Sequence, residues 1–320
     1  MIKVSEKHPH LFHYTTWEGL KGIVESNTLF ATHARFLNDS SELYQAAEPL
    51  IQLLMPSVGK LIDCISQKEL VQSEIIRYGG LDQYSYNLTH HCVDSFYRLA
   101  GPDFYICSFF GTSDKPYIEK NGLLSQWRGY GGEQGFAIEF ETSKLELLTE
   151  LEGKSYGHFF GAFADVVYGK EHALFSEDFL PHFKKFELFV LAKLRKEFGE
   201  DIDLPSGFAP FCYCASMLKH VGFEEEHEVR IVAAPLPNRD DVEKIKALLD
   251  WKDIVPKSVH SRVRNSIPVP YIKLFDFGHE GLPITRIIVG PSKDKENVAF
   301  AVRKLFGSKF PIEVCETPFV

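Results

Sequence analysis

The stretch Leu11–Glu42, LFHYTTWEGLKGIVESNTLFATHARFLNDSSE, constrains this chain more than any other. Its apolar spacing changes twice. Leu11–Thr15 reads as a short strand, Trp17, Leu20, Ile23 and Val24 recur at helical spacing, and Leu29–Thr32 is a second short strand. Thr16 stands where a side-chain oxygen caps a helix N-terminus, and Asn27 where a left-handed residue ends one. The polar residues fall at the joints of this strand–helix–strand unit. His13 leaves the first strand just ahead of a helix N-terminus, a place that suits an anionic ligand. Arg35, Asn38 and Asp39, with Glu42 beyond, crowd the end of the second strand.

The remaining elements follow without a regular strand–helix beat. Residues 43 to about 99 are helical, with Leu50, Leu53, Leu54, Leu61, Ile62 and Ile65 on one face and breaks expected near Pro56–Gly59 and Gly79–Gly80. Phe104–Phe110 is aromatic enough for a buried strand, and Phe136–Glu141 alternates as a half-buried one. Further strands are expected over Phe163–Tyr168, Glu228–Ala234, Ile267–Leu274, Ile284–Val289 and Pro311–Cys315. Further helices are expected over Phe175–Phe198, Phe211–Lys219, Val242–Leu249 and Asn297–Phe306. This mixture predicts an α+β fold, organised as a single large domain over 1–320 with a helical insertion at about 43–100.

Composition narrows the function classes. The 27 Phe and 13 Tyr predict an aromatic-rich core. A net charge of −9 repels nucleic acid and acidic membranes overall, so a nucleic-acid partner needs a local basic patch. The candidates are Lys184/Lys185 with Lys193, Arg195 and Lys196, or Lys257 with Arg262 and Arg264, and such clusters are more often solvated faces. The six cysteines form no CxxC and sit in apolar surroundings, as reduced buried thiols do. With no signal-peptide pattern and no apolar run of membrane-spanning length, the expected compartment is a reducing cytoplasm, with no membrane partner.

The familiar fingerprints are missing. There is no GxGxxG, P-loop, GxSxG or HExxH, and Arg128-Gly129-Tyr130-Gly131-Gly132 does not follow a strand. Cys212/Cys214 and His90-His91-Cys92 lack zinc spacing, so no metal site is expected. What the chain offers is a dispersed polar set suited to ribose and phosphate. It comprises His13 with Tyr14 and Thr15, the Arg35/Asn38/Asp39 turn, Ser125, Gln126, Trp127 and Arg128 with Tyr130, and Glu228 with Arg230. A histidine can bond a ribose hydroxyl, a tyrosine can stack on nicotinamide, and a glutamate can steady the charge that develops as a glycosidic bond breaks. Each has an ordinary alternative: His13 as a satisfied core histidine, Trp127 and Tyr130 as core plugs, Glu228–Arg230 as a cross-strand ion pair.

Four segments, Phe12–Glu42, LLSQWRGYGGEQGFAIEF (Leu123–Phe140), GFEEEHEVRIV (Gly222–Val232) and LPITRIIVGP (Leu282–Pro291), resemble the bacterial domain of unknown function 2971 family along nearly the whole chain. Val229 stands where that family usually has an aromatic. The opening strand, helix and strand also resemble the start of the ADP-ribosyltransferase superfamily, which implies a sheet core of that type and NAD as substrate. Carried over, the resemblance implies a catalytic His13, Tyr130 and Glu228, with Glu226 in reserve. It further implies transfer of ADP-ribose to a macromolecular acceptor, single-stranded RNA or DNA among the candidates, in a toxin or anti-phage system with a cognate antitoxin. Two other readings stand beside it. One is a metal-dependent phosphodiesterase or nuclease on His13, Asn38, Asp39 and Glu42, and the other is a nucleotide-sensing module without turnover.

Overall fold

The structure is a computed structural model and describes residues 3–37, 46–99, 103–236, 243, 254–264, 266–278 and 280–318. The helix expected over 242–249 lies outside this set but for one residue, as do Asn38, Asp39 and Glu42. The fold is α+β with a mixed, mainly antiparallel sheet. Where the sequence predicts one domain with a single insertion, the backbone packs as two compact units. One holds 34–103 and 166–223, so the helices expected at 43–100 are joined there by a second excursion of the chain. The other holds 2–33, 104–165 and 224–320.

The helical unit is built on helices Ala47–Ile65, Glu69–Arg77, Leu81–Leu99, Gly169–Phe175, Phe179–Glu197 and Phe208–Met217. Phe96, Phe186, Phe189, Tyr97 and Phe211 interlock there with ring centroids 5.0–5.4 Å apart. The break expected at Pro56–Gly59 is not found: Ala47–Ile65 runs through Pro56. Leu50, Leu53, Leu54, Val58, Leu61 and Ile62 continue one buried stripe across it, and that packing outweighs the lost backbone bond. The break at Gly79–Gly80 is present, with φ of 84° and 132°.

Twelve strands are described. In chain order they are β1 (His10–Thr15), β2 (Leu29–His33), β3 (Tyr105–Phe110), β4 (Phe136–Glu141), β5 (His158–Asp165), β6 (Val167–Tyr168), β7 (Leu218–Lys219), β8 (Glu228–Pro235), β9 (Val259–Arg264), β10 (Ile267–Leu274), β11 (Ile284–Val289) and β12 (Ile312–Val314). The pair β6–β7 is a short parallel ribbon in the helical unit. The other ten form the sheet of the second unit, ordered β12-β11-β4-β1-β3-β2-β10-β9, with β8 and then β5 also attached to β3.

Strand alternation gives this sheet two different faces. Leu11, Cys107, Phe109, Ile138, Phe140, Val229, Ile231 and Ile287 face one way. Helices Trp17–Ser26, Thr142–Ser155 and Lys295–Phe306 cover them with Leu20, Ile23, Leu145, Leu148, Val302 and Phe306. Phe12, Tyr14, Phe110, Ala137 and Ile288 face the other way, under Trp127 of helix Leu124–Tyr130. Trp127 donates its Nε1–H to the Asn121 carbonyl at 3.0 Å. It lies so close to Gly290 that a Cβ there would sit 2.7 Å from its ring. The local signals at the N-terminus hold: Thr16 precedes Trp17–Ser26, and Asn27 closes it at φ 54° while its Oδ1 accepts from the Leu282 N–H at 2.8 Å.

Strand β9 has no counterpart in the sequence reading. Its VHSRVR alternates valine or serine with histidine or arginine, and its burial is nowhere complete, so it carries no core pattern. It is specified by its neighbour: it pairs antiparallel with β10 from Ile267↔Arg264 to Ile272↔Val259, and Ser266, just before β10, has φ 63°.

Candidate functional site: a fork in the sheet

Strand β3 is paired along its whole length with β8 on one edge, from Tyr105↔Ala233 to Phe110↔Glu228. Its other edge is shared. Strand β1 reaches it only at Phe12↔Phe110, and β2 only at Thr32↔Ile106 and His33↔Tyr105. Between these ends the two strands part, leaving Cys107, Ser108 and Phe109 paired with β8 on one side and, among the described residues, with no strand on the other. A backbone carbonyl left there needs a partner. His13 supplies it: its Nδ1 lies 2.9 Å from the Ser108 oxygen, and its ring packs 5.7 Å from Phe109.

This contact sets the imidazole's chemistry. A carbonyl only accepts, so Nδ1 carries the proton. Burial lowers the His13 pKa below its ordinary value, the Ser108 bond opposes this, and the charge of Arg262 lowers it further. At neutral pH the ring is therefore neutral, with an unprotonated Nε2. Among the described residues nothing donates to that nitrogen. The fork thus presents a hydrogen-bond acceptor.

Arg262 stands within electrostatic reach of His13, although the register of β3, β2, β10 and β9 puts it on the Phe12 face of the sheet. Its Nη2 donates to Thr32 Oγ1 at 2.9 Å, and its Cζ lies 5.8 Å from the Tyr271 ring. Burial lowers its pKa, and repulsion from Arg264 adds to the effect. Among the described residues no carboxylate pairs with it. A half-buried guanidinium without an anion is costly, and a phosphate is the ligand its fork of donors fits best.

The other residues expected at the site are not gathered here. Tyr14 is buried on the opposite face, edge-on to Trp127 at 4.7 Å, and its hydroxyl accepts from the Leu123 N–H at 2.8 Å; burial pushes its phenol pKa up. Gln126 and Trp127 are buried, Ser125 and Arg128 are exposed, and Tyr130 packs half-buried on the Phe12 cluster. Thr15 ends β1 half-buried, and Arg35 is exposed in the turn Ala34–Phe36, which belongs to the helical unit.

Glu228 and Arg230 open β8, 5% and 2% exposed, joined by two bonds of 2.8 and 2.9 Å. They pair with each other along one strand, not across strands. The row Phe12–Phe110–Glu228 puts that carboxylate on the Phe12 face, whereas His13 is one step along β1 and turned away from it. The expected convergence of His13, Tyr130 and Glu228 in one pocket is therefore not formed. The order of residues along the chain does not fix strand parity; register does. Glu226 lies in the turn before β8.

Elsewhere in this unit the charged groups neutralise one another. Arg286 bonds Glu139, Glu313 and the Glu119 carbonyl, and Asp165 takes His8 and Lys7. Among the described residues no three His, Cys, Asp or Glu side chains converge as metal ligands, and no helix is long and apolar enough to cross a membrane. All six cysteines are free thiols, with Cys64 alone exposed. Arg262, set aside in the sequence as one of a basic cluster, and Thr32, not singled out there, are the site residues the motif reading missed. No signal in one strand connects them.

Comparison with curated proteins and with solved structures finds no match. A family model does match, over residues 126–231, from the helix that carries Trp127 to the strand that carries Glu228 and Arg230. It is the family described as "Protein of unknown function (DUF2971)", and the family resemblance read from the sequence is shown there.

Proposed function

We propose that the sheet unit binds a dinucleotide of the NAD type at the fork between β1 and β2. In this reading His13 Nε2 accepts a hydrogen bond from a ribose hydroxyl and Arg262 takes a phosphate. The observation that carries it is a neutral acceptor held on Ser108 in a gap of the sheet, with the charge of Arg262, a guanidinium that no described carboxylate neutralises, within electrostatic reach of it. The splayed strands are read as an ADP-ribosyltransferase-like core.

Transfer of ADP-ribose to a macromolecular acceptor is the reaction to which this reading extends. It would draw on Glu228, which is in register with Phe12 two strand spacings away, about 10 Å, on the face opposite His13. Its bidentate bond to Arg230 opposes transfer, because that carboxylate must exchange Arg230 for the ligand. Sensing of the nucleotide without turnover needs no such exchange, and is the form the resting geometry favours.

Isothermal titration of NAD into the wild-type chain, His13→Phe and Arg262→Gln tests the binding. Saturable binding is expected, weakened about tenfold or more in each variant, since a bond to a charged or well-placed group is worth about 1.5–3 kcal/mol. No heat at millimolar NAD, or variants that bind like wild type, would overturn it. Nicotinamide release from wild type that Glu228→Gln abolishes, in protein still folded by circular dichroism, selects transfer over sensing.

A further inference from the structure

The strands beyond the fork carry a surface of their own. In β2 (LFATH), β9 (VHSRVR) and β10 (IPVPYIKL) there is no Asp or Glu, although the chain has 44 of them and a net charge of −9. Register places Thr32, Tyr271 and His260 in one row across the three strands, Phe30 and Lys273 in the row on one side, and Val269 and Arg262 in the row on the other. Tyr271 is the centre. Its ring lies 5.2 Å from Phe30 and 5.5 Å from His260, with the Arg262 guanidinium 5.8 Å from its centroid. Phe30, His260, Arg262, Tyr271 and Lys273 are all half-exposed. The nearest acid in sequence, Asp276, is bonded to Lys257 at 2.6 Å.

We infer that this face of β2–β10–β9 is a platform for single-stranded nucleic acid, with bases stacked on Tyr271 and His260 and the backbone held by Arg262 and Lys273. Half-exposed aromatic rings interleaved with cations match such a strand on two counts, because every base has a π-face and every linkage a negative charge. An acidic peptide satisfies the cations but leaves the rings unused. A duplex hides its base faces and offers only phosphates. The platform also explains how a chain of net negative charge could hold nucleic acid at all: the cations are concentrated where acids are absent. It deepens the reading of the fork, since Arg262 is invoked in both, and the role of the strand as acceptor rests on that reading. The binding itself does not.

Fluorescence anisotropy on the full chain, without NAD, tests it with fluorescein-labelled 12-mers of oligo-U and oligo-dT and a duplex of equal length. The expected result is single-strand binding at least tenfold tighter than duplex binding, with the tighter of the two single strands naming RNA or DNA. Tyr271→Ala and Tyr271→Leu, the second keeping apolar bulk without a ring face, should each weaken it about tenfold or more. Arg262→Gln should weaken it and reduce the salt slope by about 0.7. Arg77→Gln, in the helical unit, should change nothing. Equal affinity for duplex, equal competition by oligo-glutamate, loss in Arg77→Gln, or wild-type binding by both folded Tyr271 variants would each overturn the assignment. His13→Phe separates the two readings. If it abolishes NAD binding and spares the oligonucleotide, both stand; if NAD never binds while Tyr271 variants lose the oligonucleotide, the platform stands and the nucleotide fork falls.

Discussion

Arg230→Met should cost the fold about 3–5 kcal/mol, because it removes the bidentate partner of a buried carboxylate. The size follows from the setting. Arg230 is 2% exposed and Glu228 5%, and their two bonds are 2.8 and 2.9 Å long. Both residues sit on β8, which has β3 on one edge, and β5 pairs it on the other from Val229 onward, so neither charge has a short route to water. Glu228→Leu alone should cost a similar amount by removing the guanidinium's bidentate partner. With both partners replaced by apolar groups the desolvation penalty goes with them, and the double variant should be less destabilised than the sum of the singles by at least about 2 kcal/mol. Equilibrium urea unfolding followed by far-ultraviolet circular dichroism measures the cycle. Additivity within about 0.5 kcal/mol would refute the reasoning, since it would mean the two groups are independently solvated. The result also bears on function: loss of activity in a Glu228 variant means something only in protein shown to be folded.

Three further outcomes follow from single sites. The folded His13 holds its proton less tightly than the ordinary 6.5, so the unfolded chain binds more protons as pH falls through that value. Stability should therefore decline below about pH 6.5 and level off below the folded pKa, and His13→Gln should remove that part of the decline in thermal melts. Lys257, with no exposed side-chain surface, lies 2.6 Å from both Glu152 and Asp276; Lys257→Met should cost about 3–5 kcal/mol in urea unfolding. Gly290→Ala places a methyl against Trp127 and should lower stability by about 1–3 kcal/mol, with a change in tryptophan fluorescence.

What was legible in the sequence was local. The helix Trp17–Ser26 could be read from its ends, because a cap at Thr16 and a left-handed Asn27 act within one turn of the residues they terminate. The buried β3 announced itself by composition. Pro56 misled because its cost is local while the stripe that overrides it spans the whole of Ala47–Ile65. The site was legible as residue types and illegible as geometry. His13 was found, but whether it faces Glu228 depends on the register of β1, β3 and β8. The row Thr32–Tyr271–His260 joins the consecutive strands β9 and β10 to β2, more than 200 residues earlier in the chain, and no spacing rule connects them. Lys257, Arg262 and Arg264 looked like one basic cluster; Lys257 proves to be neutralised in a buried network, while Arg262 bonds Thr32 and lies over the Tyr271 ring.

The nitrogen resonances of the His13 imidazole test the central claim most directly. In a long-range ¹H–¹⁵N spectrum at pH 7, Nδ1 should appear protonated and Nε2 unprotonated, and adding NAD should move Nε2 in the direction of an accepted hydrogen bond while Nδ1 stays in place. A protonated Nε2 in the free protein, or an Nε2 resonance unmoved at saturating NAD, would contradict it.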